Sequence, residues 1–216
     1  MKMMTMNIDD QNQEFRLAYQ MVTETDQPIY LTGKAGTGKT TFLKYLRANS
    51  PKKMVVAAPT GVAAINAGGI TLHSLFQLPF GPYSPNTQKG FGLNEHVIDK
   101  HQLLKNLKIQ GKKKKLLQEI DLLVIDEVSM LRCDTLDAIN HILQFVRKNH
   151  LPFGGVQVLF IGDLFQLPPV VNDRDKKLID DEYGSPFFFQ AHVLKNQPLV
   201  YIELSKIYRQ NEEGFI

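Results

Sequence analysis

Gly33-Lys34-Ala35-Gly36-Thr37-Gly38-Lys39-Thr40 fits the pattern G-x-x-x-x-G-K-[ST] at every fixed position. The octapeptide follows an extended run, Pro28-Ile29-Tyr30-Leu31-Thr32, and opens a helix predicted over Thr41-Phe42-Leu43-Lys44-Tyr45-Leu46. That strand, loop and helix order is the setting in which a phosphate-binding loop works. Its glycines let backbone N–H groups converge on phosphate oxygens, and the helix start adds a positive dipole end. Ala35, Gly36, Thr37, Gly38, Lys39, Thr40 and Thr41 are therefore the candidate nucleotide-binding residues. Lys39 has the reach for β and γ phosphates, and the Thr40 hydroxyl is placed for magnesium. The reading points to a nucleoside triphosphate such as ATP.

Working outward, Gln11 to Thr23 carries apolar residues at mainly helical spacing, which predicts a helix before the loop strand. Short apolar runs follow at Met54 to Ala58, Leu122 to Ile125, Val156 to Ile161 and Leu199 to Ile202, separated by segments able to form helices. Helices are predicted over Val62 to Ala67, Val97 to Leu107 and Thr135 to Val146. This alternation implies an α/β fold around a parallel sheet buried on both faces. Pro79 to Asn94 is rich in proline and glycine and poor in apolar residues, so Leu78 to Gly111 reads as an insertion standing off the core rather than a second domain.

Length and composition bound the rest. At 216 residues, 43% hydrophobic and 22% charged, the chain has material for one ample core. No apolar run approaches the roughly 20 residues of a membrane span, and Met1 to Asp10 is polar where a secretory signal would be apolar. The single cysteine, Cys133, excludes an internal disulfide and fits a buried side chain in a reducing cytoplasm, at the nucleoid in a bacterium. A net charge of +3 does not announce a nucleic-acid partner. Seven lysines between Lys100 and Gln118, with no acidic residue, make one segment locally basic, either as a solvated helix end and turn or as phosphate contacts.

Three further constellations carry chemistry. Leu122 to Ile125 delivers Asp126 and Glu127 at the end of a buried strand. Beside a phosphate loop, Asp126 is suited to hold magnesium and Glu127 to deprotonate the water attacking the γ phosphate, although adjacent acids also cap helices. Gly162-Asp163-Leu164-Phe165-Gln166-Leu167-Pro168-Pro169 is a strand end running into a rigid polar turn, in which Gln166 offers an uncharged amide to the γ phosphate or the water. An ordinary turn has the same composition. Ala58-Pro59-Thr60-Gly61 and Thr71-Leu72-His73-Ser74 present hydroxyl, N–H and imidazole groups to a phosphate backbone, and His73 by itself is equally a structural histidine.

Together these pieces resemble the first motor domain of the Pif-one and RecD-like DNA helicases of superfamily one. The resemblance rests on Gly33 to Thr40, Ala58 to Gly61 with Thr71 to Ser74, Val124 to Met130, Gly162 to Val170, and Leu204 with Tyr208-Arg209-Gln210, in order along the chain. It implies a three-layer RecA-like P-loop NTPase domain with a small insertion, ATP and magnesium as cofactors, and single-stranded DNA entered from its 5′ side. It also implies Pro59, Thr60, Gly61 and His73 at the DNA, Arg209 at the γ phosphate, and the insertion as an accessory subdomain near the junction of single and double strands. Relatives usually read adenine with a glutamine before the first helix, and Gln11 and Gln13 match that stretch imperfectly. They also carry a second RecA-like domain, so residues 1–216 read as half of a motor. A binding module without unwinding activity is the alternative, and a small-molecule kinase is weakened by the Asp126-Glu127 pair.

Overall fold

The computed structural model describes residues 12–85 and 97–206. Six parallel strands form one sheet: β1 (Ile29–Thr32), β2 (Met54–Ala58), β3 (Ile70–Thr71), β4 (Leu122–Ile125), β5 (Gln157–Ile161) and β6 (Val200–Glu203), in the spatial order β3-β2-β4-β5-β1-β6. Strands β1, β4 and β5 were legible because they are buried at every position and alternate between two cores. Ile29 and Leu31 of β1, Leu122 and Val124 of β4, and Leu159 and Ile161 of β5 meet Phe42 and Leu46 on one side. Tyr30, Leu123, Ile125, Val158 and Phe160 face Leu136, Ile139 and Leu143 on the other. Each such side chain, fully buried, contributes about 1.5–3 kcal/mol.

Helices α1 (Gln13–Glu24) and α2 (Lys39–Asn49) lie on the first face, locked by Phe15 against Phe42 with ring centroids 5.0 Å apart. Short helices α3 (Gly61–Asn66) and α4 (Leu72–Phe76) follow β2 and β3. The second face carries α7 (Cys133–Arg147), with α5 (Lys100–Lys105), α6 (Gly111–Glu119) and α8 (Asp173–Tyr183) around it. Cys133 is buried, which raises its thiol pKa to about 12 and suits a packing role rather than nucleophilic chemistry. No helix among the described residues is long and apolar enough to cross a membrane.

Part of the segment expected to stand off the core is tied into it, although Phe80 within it is fully exposed. Leu78, Tyr83, Leu103 and Ile109 are buried in the cluster built on α7. The Tyr83 N–H donates to Oδ2 of Asp134 at 2.9 Å, and its hydroxyl lies 2.8 Å from Nδ1 of His141. Tyr83 supplies the apolar contact that the proline and glycine content concealed. The Pro79–Asn94 stretch from residue 86 onward lies outside the described residues. Lys112–Lys115 occupy the start of α6, a helix end, and Lys113 donates to the Ser74 carbonyl at 2.7 Å.

Because β4, β5 and β1 are neighbours and parallel, the loops leaving their carboxyl ends stand side by side. These loops are 126–127, 162–166 and 33–38. Their adjacency is what the sheet order does for the site.

Candidate active site

A cavity of about 590 Å³ opens where these loops meet. Ala35, Gly36, Gly38 and residues 39–41 line it together with Glu127 and Gln166. The structure thus brings three separate stretches of sequence to one place. The loop's shape depends on Gly33, whose φ is +148° and whose missing Cβ would lie 2.6 Å from the Leu204 carbonyl oxygen and collide with the Thr37 hydroxyl. Thr37 is buried, and its hydroxyl donates to the Lys34 carbonyl at 2.8 Å, so its side chain braces the loop. The Lys39 ammonium donates to the Gly33 carbonyl at 2.5 Å and to that of Lys34 at 3.2 Å. Thr40 and Thr41, at the start of α2, are exposed.

On the opposite loop the Asp126 N–H donates to Ala57 O of the neighbouring strand at 2.9 Å, and Oδ1 accepts the Glu127 N–H at 3.0 Å. Burial, with a smaller push from the Glu127 charge, raises the Asp126 pKa; the Glu127 N–H and the Lys39 ammonium oppose that rise. A carboxylate in this position gains from a nearby cation, and with the Thr40 hydroxyl it offers the hard oxygen donors that magnesium takes. Glu127 has φ +52°, a left-handed conformation that costs a non-glycine residue of order 1–3 kcal/mol, and it lines the cavity.

Gly162 sets the third loop against the second. A Cβ there would meet the Val128 backbone nitrogen at 2.9 Å, so the end of β5 approaches the carboxylate turn as closely as a side chain would forbid. Asp163 then organises the turn: Oδ1 accepts the Phe165 N–H at 3.1 Å, and Oδ2 accepts the Gln166 side-chain amide at 3.2 Å. Gln166 is exposed at the cavity, and beside it Phe165, Leu167 and Val170 are exposed as well.

The residues expected at DNA lie elsewhere, on the turns after β2 and β3. Thr60 caps α3, its hydroxyl accepting the Ala63 N–H at 3.2 Å, and Thr71 caps α4 in the same way through Ser74. Pro59 is partly exposed, Gly61 is exposed, and the exposed His73 ring stacks on Phe80 with centroids 6.1 Å apart. Partial burial, and then the nearby Arg132 charge, lowers the His73 pKa. Gln13 is exposed at the start of α1 and does not line the cavity. Gln11 and Arg209 lie outside the described residues. Sequence reading passed over Arg132, whose guanidinium bonds Asp134 and Asp175; the signal available was an arginine just past the carboxylate turn.

Comparison with known proteins agrees with this geometry. Residues 6–214 match the model of the PIF1-like helicase family. The ATP-dependent DNA helicase PIF1 of Saccharomyces cerevisiae is 37% identical over 194 residues, a match that covers 88% of this chain and 20% of the yeast protein. A crystal structure of Bacteroides Pif1 bound to ssDNA shares 46% identity with a TM-score of 0.76, covering 93% of this chain and 43% of that one. Bacteroides Pif1 in complex with ADP-AlF4 shares 45% identity with a TM-score of 0.80, again over 93% of this chain and 43% of that one. The chain thus spans about a fifth of the length of its yeast relative. With the family model covering nearly every residue and the sheet, loop and carboxylate turn arranged as described, this chain belongs to the PIF1-like helicase family.

Proposed function

We propose that this chain is the ATP-hydrolysing motor domain of a DNA helicase that contacts single-stranded DNA and unwinds in the 5′-to-3′ direction. The observation that carries the reading is the cavity itself, which joins the phosphate loop, Glu127 and Gln166. Lys39 exchanges its loop carbonyls for the β and γ phosphates, and backbone N–H groups of residues 35–40 cradle them. Thr40 and Asp126 hold magnesium, which when bound neutralises charge on the phosphates. Glu127 takes the proton of the attacking water, Gln166 orients that water, and Arg209 stabilises charge growing on the γ phosphate. Gln13 faces the adenine ring, a placement supported by the packing of Phe15 on Phe42, which sets the start of α1 beside the start of α2.

Pro59, Thr60, Gly61 and His73 line the DNA strand. Thr60 keeps its O–H free to donate to a phosphate while its oxygen serves the α3 cap. A second RecA-like domain closes the cavity over Gln166, consistent with the exposed Phe165, Leu167 and Val170 beside it. Segment 78–111 belongs to the part that meets the junction of single and double strands.

The test uses the full-length protein with single-stranded DNA and a duplex bearing a 5′ tail. Wild type should hydrolyse ATP faster with DNA and separate the duplex. Glu127→Gln should bind ATP with unchanged affinity yet turn over about a hundredfold more slowly, since it loses the base but keeps the shape. A wild type that binds ATP and DNA without hydrolysis is the outcome for a binding module, and parental turnover by Glu127→Gln would require a different base.

A further inference from the structure

One guanidinium links the two helices that follow the turns of Glu127 and Gln166. Arg132 follows Glu127 by five residues, and Asp175 follows Gln166 by nine. Nε and Nη2 of Arg132 donate to the two carboxylate oxygens of Asp134 at 2.9 and 2.7 Å, and Nη1 donates to Oδ2 of Asp175 at 2.9 Å. Both carboxylates are buried, and the arginine side chain is only 15% exposed. Asp134 opens α7, which leaves the carboxylate turn; Asp175 sits in the first turn of α8, which leaves the Gln166 turn.

Short stretches of chain connect the clasp to both turns. Residues 128–130 form a single 3₁₀ turn between Glu127 and Arg132. On the other arm, Leu164 and Val171 pack against the core, and between them Pro169 is buried next to the exposed Pro168, two prolines that restrict the backbone of this arm. Burying three charges is costly, and apolar residues of similar volume often stabilise a core as well or better. Stability alone is therefore a poor account of the cluster. A role in holding two catalytic turns at a fixed separation accounts for its position.

We propose that the Arg132–Asp134–Asp175 clasp sets the spacing between Glu127 and Gln166, making Arg132 a positioning residue for ATP hydrolysis. This rests on the reading of the cavity as the hydrolytic site. A water poised between a base and an orienting amide is sensitive to shifts well under an ångström, so loosening the clasp slows chemistry more than it weakens binding.

The experiment is a double-mutant cycle in the full-length protein, with turnover counted per site titrated by a non-hydrolysable ATP analogue so that misfolded molecules do not enter. Asp175→Asn, which leaves the Arg132–Asp134 fork in place, should lower kcat about tenfold while the ATP KM moves less than about twofold. Gln166→Ala should lower kcat as well, and the double variant should be no slower than Gln166→Ala within about twofold, because the clasp acts through that turn. Arg132→Lys, which keeps the charge and loses the fork, should behave as Asp175→Asn does. Unchanged kcat per site in Asp175→Asn, full activity in Gln166→Ala, or losses that multiply in the double variant would each overturn the proposal. So would failure of both clasp variants to fold, which would make the cluster structural. Loss of the cavity reading is seen separately, as parental turnover in Glu127→Gln.

Discussion

Lys39 shows what one side chain does in two settings. Its ammonium bridges the carbonyls of Gly33 and Lys34, so the loop is held in shape by the cation proposed to meet the phosphates. In the proposed role two backbone acceptors would be given up for a polyanion, an exchange that favours the phosphates because their charge is full and that of a carbonyl is partial. Lys39→Ala should accordingly weaken ATP binding by at least tenfold, or about 1.4 kcal/mol. It should also leave the exposed Lys34 carbonyl to water and the Gly33 carbonyl, at a buried residue, without its cation. Calorimetric titration with ATP, on a variant shown to be folded by its melting transition, checks this. Unchanged affinity would mean that backbone N–H groups carry the binding alone. Asp126 was legible for the same reason as Lys39, since both stand at fixed offsets from a strand end. Arg132 was not, because its partners Asp134 and Asp175 are brought to it by helices whose packing no local pattern encodes.

At the scale of elements, the close approach of two turns decides whether the site exists. The end of β5 lies against the carboxylate turn at Gly162, where an added methyl meets backbone rather than a side chain able to swing away. Gly162→Ala should therefore push the 163–166 turn outward. We expect a destabilisation of about 1–3 kcal/mol, typical of overpacking, and slower ATP turnover through displacement of Gln166. Urea denaturation and steady-state kinetics on the same preparation test both parts, and an alanine variant as stable and as fast as wild type would show that the turn has room. The strands β1, β2, β4, β5 and β6 were readable because each is a short apolar run bounded by polar residues or glycine. By contrast β3 has two residues and α4 five, too few for any period to show. The start of α6 was obscured by four lysines in the turn where the helix dipole disfavours cations, while Lys115 and Glu119, 3.8 Å apart, support its other end. Helix α8 carried a readable stop in Gly184, with φ +77°, and acids in its first turn, yet its apolar face is sparse.

The whole molecule adds a pH dependence that no single element has. His141 on α7 is partly buried against Tyr83 from the 78–111 segment, and burial, followed by the Lys100 charge, lowers its pKa from 6.5 to about 4. Above 6.5 the imidazole is neutral in both folded and unfolded chains. Between 6.5 and about 4 the unfolded chain takes up a proton that the folded one refuses, so stability falls as the pH falls through that window and levels off below it. The full shift corresponds to about 3 kcal/mol, and partial exposure of the ring reduces this to about 1–2 kcal/mol. Asp137 works in the opposite direction, because burial raises its pKa and the folded chain binds that proton more readily. A comparison of variants separates the two. His141→Gln keeps a polar partner for the Tyr83 hydroxyl and removes the titration, so its unfolding free energy should decline by about 1–2 kcal/mol less than that of wild type between pH 6.5 and 4.5. Urea denaturation at the two pH values provides the measurement. Parallel declines in wild type and variant would show that His141 is not what couples the 78–111 segment to acid, and that another group in the α7 layer takes up the proton.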